Sequence, residues 1–518
     1  MRIERGWKVT NYYYVVAIAL AVVIGIESGQ VVAAADSGDS QSPVNIVYVL
    51  ADDLGYGDLS CLNEHSKIHT PNLDRLAREG MIFTDAHSGS AVCTPTRYGV
   101  LTGRYSWRSR LKQGVLGGYS SHLIDPDRLT VAGYLKQHGY HTACIGKWHL
   151  GWDWARKEGK KEVDFTRPVK NGPDANGFDY YYAHCGSLDM APYVYVENGR
   201  VTAQPDRVTE SEDKYGWWRK GPTGTDFDHT DVLPNFTRRA VTYIREQAAR
   251  RRPFFLYLPL PAPHTPILPT EEFQGKSGLN PYGDFVMMVD HCMGMIQRAV
   301  DESDVRDNTL IVFTADNGCS PEADFEELAQ KHHHPSYKYR GYKADIYEGG
   351  HRVPFIVRWP AKVKAGSTCD YTICLTDLLA TCADLLGDDL PDNAGEDSVS
   401  ILPYLDGSAT RSLREATVHH SIRGHFAIRQ GRWKLALCPG SGGWSAPKPG
   451  EAPEGAPPVQ LYDLSQDVAE TENVQDRHPE IVERLTALLQ QYVDRGRSTP
   501  GKPQKNEGDT PIWRTSRP

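Results

Sequence analysis

Four short apolar runs rich in β-branched and aromatic residues stand out along the chain: Val44-Asn45-Ile46-Val47-Tyr48-Val49-Leu50, Thr142-Ala143-Cys144-Ile145, residues 254–258 and Leu310-Ile311-Val312-Phe313. Runs of this kind without polar alternation predict strands that a parallel sheet buries on both faces. Each leads to polar residues, in turn Asp52-Asp53, Gly146-Lys147, Pro263-His264 and Asp316-Asn317. Helical patterns lie between them. Residues 71–79 start with Pro71 after Thr70 and stop at Gly80, residues 127–138 stop at Gly139, and residues 232–251 and 284–302 are longer candidates. The alternation predicts a mostly parallel α/β sheet with flanking helices, whose ligand site lies outside the carboxyl ends of its strands. The polar clusters are therefore expected in one crevice.

From about Ala416 the pattern changes. Val418-His419-His420, Phe426-Ala427-Ile428-Arg429 and Trp433-Lys434-Leu435-Ala436-Leu437 predict short antiparallel strands. Residues 439–458, rich in Gly and Pro, predict a long exposed loop. Residues 479–495 predict an amphipathic helix with Ile481, Leu485, Leu488, Leu489 and Tyr492 on one face. The expected organisation is a catalytic domain over residues 44–410, a smaller C-terminal α+β subdomain over residues 411–497 and a disordered tail over residues 498–518.

Residues 1–35 read as a signal peptide: Arg2, Arg5 and Lys8 precede an apolar run over residues 12–26, and Val32-Ala33-Ala34-Ala35 offers small residues for cleavage. The apolar run falls short of the roughly 20 residues that span a bilayer, so no stable membrane span is expected, with a retained anchor as the alternative. Export is the expectation, to the periplasm or the medium from a bacterium and to the secretory or lysosomal route in a eukaryote. A net charge of -9 argues against a nucleic-acid partner, and a polyanionic substrate would need a local basic pocket. The 10 cysteines are scattered without a Cys-x-x-Cys pair, so no disulfide framework is readable and most are expected to be buried apolar fillers.

The sharpest local signal is Cys93-Thr94-Pro95-Thr96-Arg97-Tyr98-Gly99-Val100-Leu101-Thr102-Gly103. It resembles the modification sequence of the formylglycine-dependent sulfatases, Cys-x-Pro-x-Arg followed by Leu-Thr-Gly, with Thr96 where serine is commoner. The resemblance implies that a formylglycine-generating enzyme converts Cys93 during maturation and that the hydrated aldehyde supplies a geminal diol. One hydroxyl of such a diol attacks sulfur, and the other, once deprotonated, expels sulfate by re-forming the aldehyde.

Asp52, Asp53, Asp316 and Asn317 are oxygen donors, a set that suits a hard cation such as Ca²⁺ or Mg²⁺ better than Zn²⁺. The resemblance favours Ca²⁺ and adds the modified Cys93 as a ligand. A basic set matches family runs as well: Lys147-Trp148-His149-Leu150-Gly151, Pro263-His264-Thr265-Pro266, and Lys343 ahead of Glu348-Gly349-Gly350 and Arg352-Val353-Pro354. By resemblance, Arg97 and Lys147 hold the diol and His149 is its base. Lys147, His264 and Lys343 would bind the sulfate group, with His264 and Lys343 helping to protonate the leaving oxygen. Ser187, in Gly186-Ser187-Leu188-Asp189, resembles a substrate-side serine of arylsulfatases, with a turn-forming serine as the alternative. His332-His333-His334 is expected in a solvated loop.

The resemblance runs from Asn45 to about Val493, includes Leu461-Tyr462-Asp463-Leu464, and implies an alkaline-phosphatase-like fold. It implies a sulfuric ester hydrolase of the branch that holds arylsulfatases and N-acetylgalactosamine-6-sulfatases, acting on an O-sulfated carbohydrate. The competing readings are an arylsulfatase on small aryl sulfates, a phosphonate or phosphate monoester hydrolase of the same superfamily, and an inactive exported glycan-binding protein. Asn317 after Asp316, where alkaline phosphatases usually bring a histidine, disfavours a two-zinc phosphatase.

Overall fold

A computed structural model describes residues 43–514, so the expected signal peptide lies outside the described residues. The strand Asn45–Ala51 is buried along all seven residues and sits in the middle of a ten-stranded sheet. The order across that sheet is Ser367–Cys369, Met81–Phe83, Phe355–Arg358, Thr309–Ala315, Asn45–Ala51, Phe254–Pro259, His141–Lys147, Tyr180–His184, Val196–Glu197 and Arg200–Val201. The five strands from Thr309–Ala315 to Tyr180–His184 run parallel, and antiparallel pairs appear only toward the edges. All four apolar runs are therefore central strands. Double-sided burial explains why they carry no polar alternation.

The helices Pro71–Arg78, Val232–Ala249 and Pro281–Asp301 pack on one another, and Cys93–Thr102, Val131–Gln137 and Leu378–Leu385 form a second group. Two helix starts differ from the sequence reading. Val131–Gln137 begins four residues late because Thr130 caps it, its hydroxyl accepting from Gly133 N at 3.0 Å. Pro281–Asp301 begins three residues early because Asn280 accepts from Tyr282 N and Gly283 N ahead of Pro281.

The C-terminal part adds an antiparallel sheet in the order Thr417–His420, Phe426–Gln430, Trp433–Ala436, Gln460–Asp463. The helix Pro479–Asp494 lies on it and buries Leu485, Leu489, Tyr492 and Val493. This sheet and helix share an apolar cluster with Tyr105, Trp107 and Cys374 of the larger part, and the described residues fall in a single compact unit. The layout is the alkaline-phosphatase-like one that the resemblance implies.

Two loop expectations need correction. Residues 498–514 carry no regular element, yet they are pinned rather than disordered: Ser498 N donates to Asp397 Oδ1 at 3.1 Å, Arg108 to Asn506 Oδ1 at 3.0 Å, and Lys112 Nζ to Thr510 Oγ1 at 2.8 Å. Arg108 is fully buried and must have such partners, a demand that no apolar periodicity announces. His333 is also buried rather than solvated, with Nε2 at 2.9 Å from Asp58 Oδ1, while His332 and His334 are exposed. No helix among the described residues is long and apolar enough to cross a membrane.

Candidate active site

Strand register assembles the site. Ala51 pairs with Ala315, which sets Asp52-Asp53 beside Asp316-Asn317 at the carboxyl edge of the sheet, and Asp316 N donates to Ala51 O at 3.0 Å. Lys147 ends the strand His141–Lys147, and His264 follows Phe254–Pro259 at the same edge. Across them stands the fully buried helix Cys93–Thr102, with Cys93 as its first residue. An unpartnered helix start offers backbone N–H groups and the positive end of the helix dipole, both favourable to negative charge.

The acids and bases interlock. Arg97 donates to Asp316 Oδ2 at 2.8 Å and to Lys147 O at 2.9 Å. Lys147 Nζ is bonded to the Asp52 carboxylate. Lys343 Nζ donates to Asp53 Oδ2 at 2.7 Å, and His264 Nε2 lies 3.6 Å from the same oxygen. Asn317 Nδ2 donates to Asp53 Oδ1 at 2.7 Å. Oxygens of Asp52 and Asp316 and the Cys93 sulfur lie within 4.8 Å of one another. Nine of the eleven expected site residues are joined by these contacts, and His149, two residues after Lys147, lies within reach of the Lys147 and Arg97 charges.

Burial sets the protonation states. Asp52 is held well below the usual carboxylate range: burial opposes this, but Lys147, His264 and Arg97 outweigh it. Asp316 is pushed up to about 7, by burial first and then by the Asp52 charge. Burial also pushes the Cys93 thiol up, against the pull of Lys147 and Lys343, so as a cysteine it is a poor nucleophile. His149 Nε2 lies 2.7 Å from Leu116 O and must donate to it, which leaves the Nδ1 lone pair free and buried. Burial, then Lys147 and Arg97, hold this ring neutral by lowering its pKa well below the ordinary value. His264 Nδ1 donates to Thr265 O at 2.6 Å, and burial and Lys343 lower its pKa too.

Asp53 and His149 both adopt left-handed backbone, at φ 63° and 51°. Such conformations cost roughly 1–3 kcal/mol each in non-glycine residues and concentrate at functional sites. The Asp53 turn is braced by a set of residues that motif reading missed. Tyr282 donates to Asp53 O at 3.3 Å and to the Asp58 carboxylate, and Asp58 also accepts from Gly55 N at 2.8 Å. Only Asp58, six residues after Asp52, gave any local signal. Gly318 has a packing reason as well, since a Cβ there would lie 1.8 Å from Gly349 O.

Whether a hard cation fits can be tested on oxygens. Asp52 Oδ1 and Asn317 Oδ1 are buried acceptors with no hydrogen-bond partner among the described residues. Orphans of this kind cost about 1–3 kcal/mol each unless something binds them. With Asp53 and Asp316 beside them, the donor set fits Ca²⁺ or Mg²⁺.

Ser187 is the outlier. It follows the strand Tyr180–His184 at the same sheet edge and is buried with its Oγ unpartnered, but no hydrogen bond or ion pair joins it to the other ten. A second buried cluster holds His87, His351 and His419, but its nitrogens are engaged. His87 Nδ1 and His351 Nδ1 are 3.1 Å apart, and His419 contacts Ser88 O at 3.0 Å and Thr417 Oγ1 at 3.1 Å. Lys434 Nζ presses on His351 Nε2 at 3.0 Å, so this group disfavours a cation. An open cleft lined by Tyr180, Arg239, Tyr243 and Glu246 lies by His141 at the amino-terminal edge of the sheet, away from all of this chemistry.

A family model described as Sulfatase matches residues 44–388. The chain is 36% identical over 503 residues to an N-acetylgalactosamine-6-O-sulfatase of Bacteroides thetaiotaomicron, covering 89% of this chain and 95% of that protein. It is 32% identical over 479 residues to human arylsulfatase A, covering 86% and 87%. A solved structure described under the metabolism of multiple glycosaminoglycans by Bacteroides thetaiotaomicron superimposes with a TM-score of 0.76 at 35% identity, covering 87% of this chain and 99% of that one.

Proposed function

The chain belongs to the sulfatase family and is a hydrolase of sulfate esters, and we propose that it desulfates an O-sulfated saccharide, with 6-O-sulfated N-acetylgalactosamine as the first candidate. The observation that carries the mechanism is the position of Cys93, buried at a helix start beside the Asp52 and Asp316 carboxylates and within reach of the Lys147 and Lys343 charges. The likeness to the N-acetylgalactosamine-6-O-sulfatase supports the choice of sugar. Residues 1–35 support an exported protein.

In this reading Cys93 is converted to formylglycine, whose diol supplies an oxygen nucleophile and a way to release sulfate. Asp52, Asp53, Asp316, Asn317 and the modified Cys93 would hold Ca²⁺, which supplies Lewis-acid stabilisation of negative charge. Arg97 and Lys147 fix the nucleophile and its surrounding carboxylates. His149, neutral and with Nδ1 free, takes up the proton that must leave the diol before sulfate departs. Lys343 holds the sulfate oxygens, and His264 joins it only when its ring is protonated and Nε2 carries a hydrogen. Near neutral pH the Lys343 ammonium is the better donor to the leaving oxygen: its pairing with Asp53 outweighs burial and keeps it charged, whereas His264 is held neutral with its one N–H on Thr265 O. Ser187 would face the substrate.

The test is a panel in which sulfated saccharides, 4-nitrophenyl sulfate and matching phosphate and phosphonate esters are assayed in parallel. Turnover of a 6-O-sulfated N-acetylgalactosamine saccharide is expected. Activity confined to the aryl sulfate would remove the saccharide reading, and faster turnover of a phosphate or phosphonate ester would remove the sulfatase mechanism.

A further inference from the structure

The Gly- and Pro-rich stretch over residues 439–458 divides in two. Residues 450–455 are mostly exposed, but residues 440–443 are buried and stitched to the segment that follows Lys343. Ile346 N donates to Ser441 O at 2.7 Å, and Trp444 N and Ser445 N both donate to Asp345 Oδ1, at 2.8 and 3.0 Å. Asp345 Oδ2 in turn accepts from Tyr342 N at 3.1 Å. A Cβ on Gly443 would lie 2.3 Å from Ala344 O, so only glycine allows this approach.

These bonds carry one large side chain from the C-terminal part to the candidate active site. The ring centroid of Trp444 lies 6.0 Å from Lys343 Nζ, the ammonium that pairs with Asp53. Trp444 is half-buried, so the residue is not sealed into the core. At 6.0 Å the ammonium is at the outer limit of a cation–π contact, and its charge is already met by the Asp53 carboxylate. Holding Lys343 is thus a minor use for so large and so firmly positioned a ring. An indole beside a polar anchor is suited instead to the apolar C–H face of a sugar whose sulfate that anchor holds.

We propose that Trp444 is a specificity-determining residue, the platform on which the sulfated sugar ring stacks while Lys343 holds its sulfate. This rests on the saccharide reading above and deepens it. Asp345 is the positioning residue that sets the indole, through the two backbone bonds it accepts. Chemistry at sulfur is left to other groups, so Trp444 acts on the binding of the sugar and hardly at all on the sulfate itself.

The experiment uses the full-length, converted enzyme with Trp444→Ala and Trp444→Phe, a 6-O-sulfated N-acetylgalactosamine saccharide as substrate and inorganic sulfate as a competitive inhibitor that has no ring. In Trp444→Ala, KM for the saccharide is expected to rise by about fivefold or more, with kcat changing less, and Trp444→Phe should recover most of that loss. The sulfate inhibition constant should stay within about twofold in both variants. An unchanged saccharide KM in Trp444→Ala overturns the proposal, and so does a parallel loss of sulfate inhibition, which would assign the ring to Lys343. If the parent enzyme turns over 4-nitrophenyl sulfate but no sulfated saccharide, the saccharide reading fails first and the proposal with it.

Discussion

Asn317 donates from Nδ2 to Asp53 Oδ1 at 2.7 Å and leaves its own Oδ1 buried without a partner among the described residues. One amide thus orients a carboxylate and presents a bare oxygen to the same space. Asn317→Ala removes both functions. Calcium affinity, measured by titration calorimetry, should fall by at least about tenfold, and the rise in Tm that calcium gives the parent protein should shrink accordingly. Unchanged calcium binding would take Asn317 out of the ligand set.

Cys93 is fully buried and its thiol is pushed up, so its value as a nucleophile depends on conversion. Cys93→Ala is expected to lower kcat/KM at least about a thousandfold without loss of fold, and Cys93→Ser likewise in a host that does not oxidise serine. Mass spectrometry of the Cys93 peptide should show the thiol replaced by an aldehyde in active protein. Full activity with an intact thiol would contradict the mechanism.

Lys434 bridges two carboxylates in a fully buried setting, 3.0 Å from Glu348 Oε1 and 2.8 Å from Glu470 Oε1. Lys434→Met leaves the two acids facing each other. Removing one member of a buried pair typically costs about 3–5 kcal/mol, a loss that urea unfolding would detect as a lower midpoint. Glu470 already marks the tension: burial pushes it up to about 7, Lys434 opposing and Glu348 adding to the rise.

Acid should unfold the protein through its histidines. Burial first, and nearby positive groups second, hold His351 and His419 well below the ordinary value, while burial lowers His184 and His420 to about 4. A folded pKa below the unfolded one gives stability that is complete above about 6.5 and is lost as the unfolded chain takes up protons that the folded one refuses. Carboxyls that burial pushes up, Glu470 and Asp316 to about 7 and Asp290 to about 6, work in the opposite sense, their contributions being lost as pH rises toward those values, but the histidines held below the ordinary value, His149 and His264 among them, outnumber them. Tm is expected to fall as pH is lowered from about 6.5 toward 4. A Tm that is flat or rising over this range would show that these histidines become charged in the fold.

Long-range order was readable where it repeats. The four central strands and the chemistry at their carboxyl ends follow from apolar runs and the residues after them, because a doubly buried parallel strand leaves few alternatives for Val47 or Ile311. What escaped has no periodicity. The strand Gln460–Asp463 is four residues long and is recognisable only by its place beside Trp433–Ala436. The bonds from Arg108 to Asn506 and from Trp444 N to Asp345 join residues 398 and 99 positions apart, each through a single polar contact that leaves no trace in local pattern. His333 looked solvated because its partner Asp58 lies 275 residues away.

The enclosure of the helix Cys93–Thr102 also bears on the order of events during synthesis. Every residue of that helix is buried, so if Cys93 is converted as proposed, the converting enzyme meets it only while the chain is still open. Arg108, a few residues on, completes its hydrogen bonding only when Asn506, 398 positions downstream, has been made. At about 5–20 residues per second that interval lasts roughly 20–80 s. If Cys93 is converted as proposed, that interval is the time in which the chain around its helix still lacks its C-terminal partner.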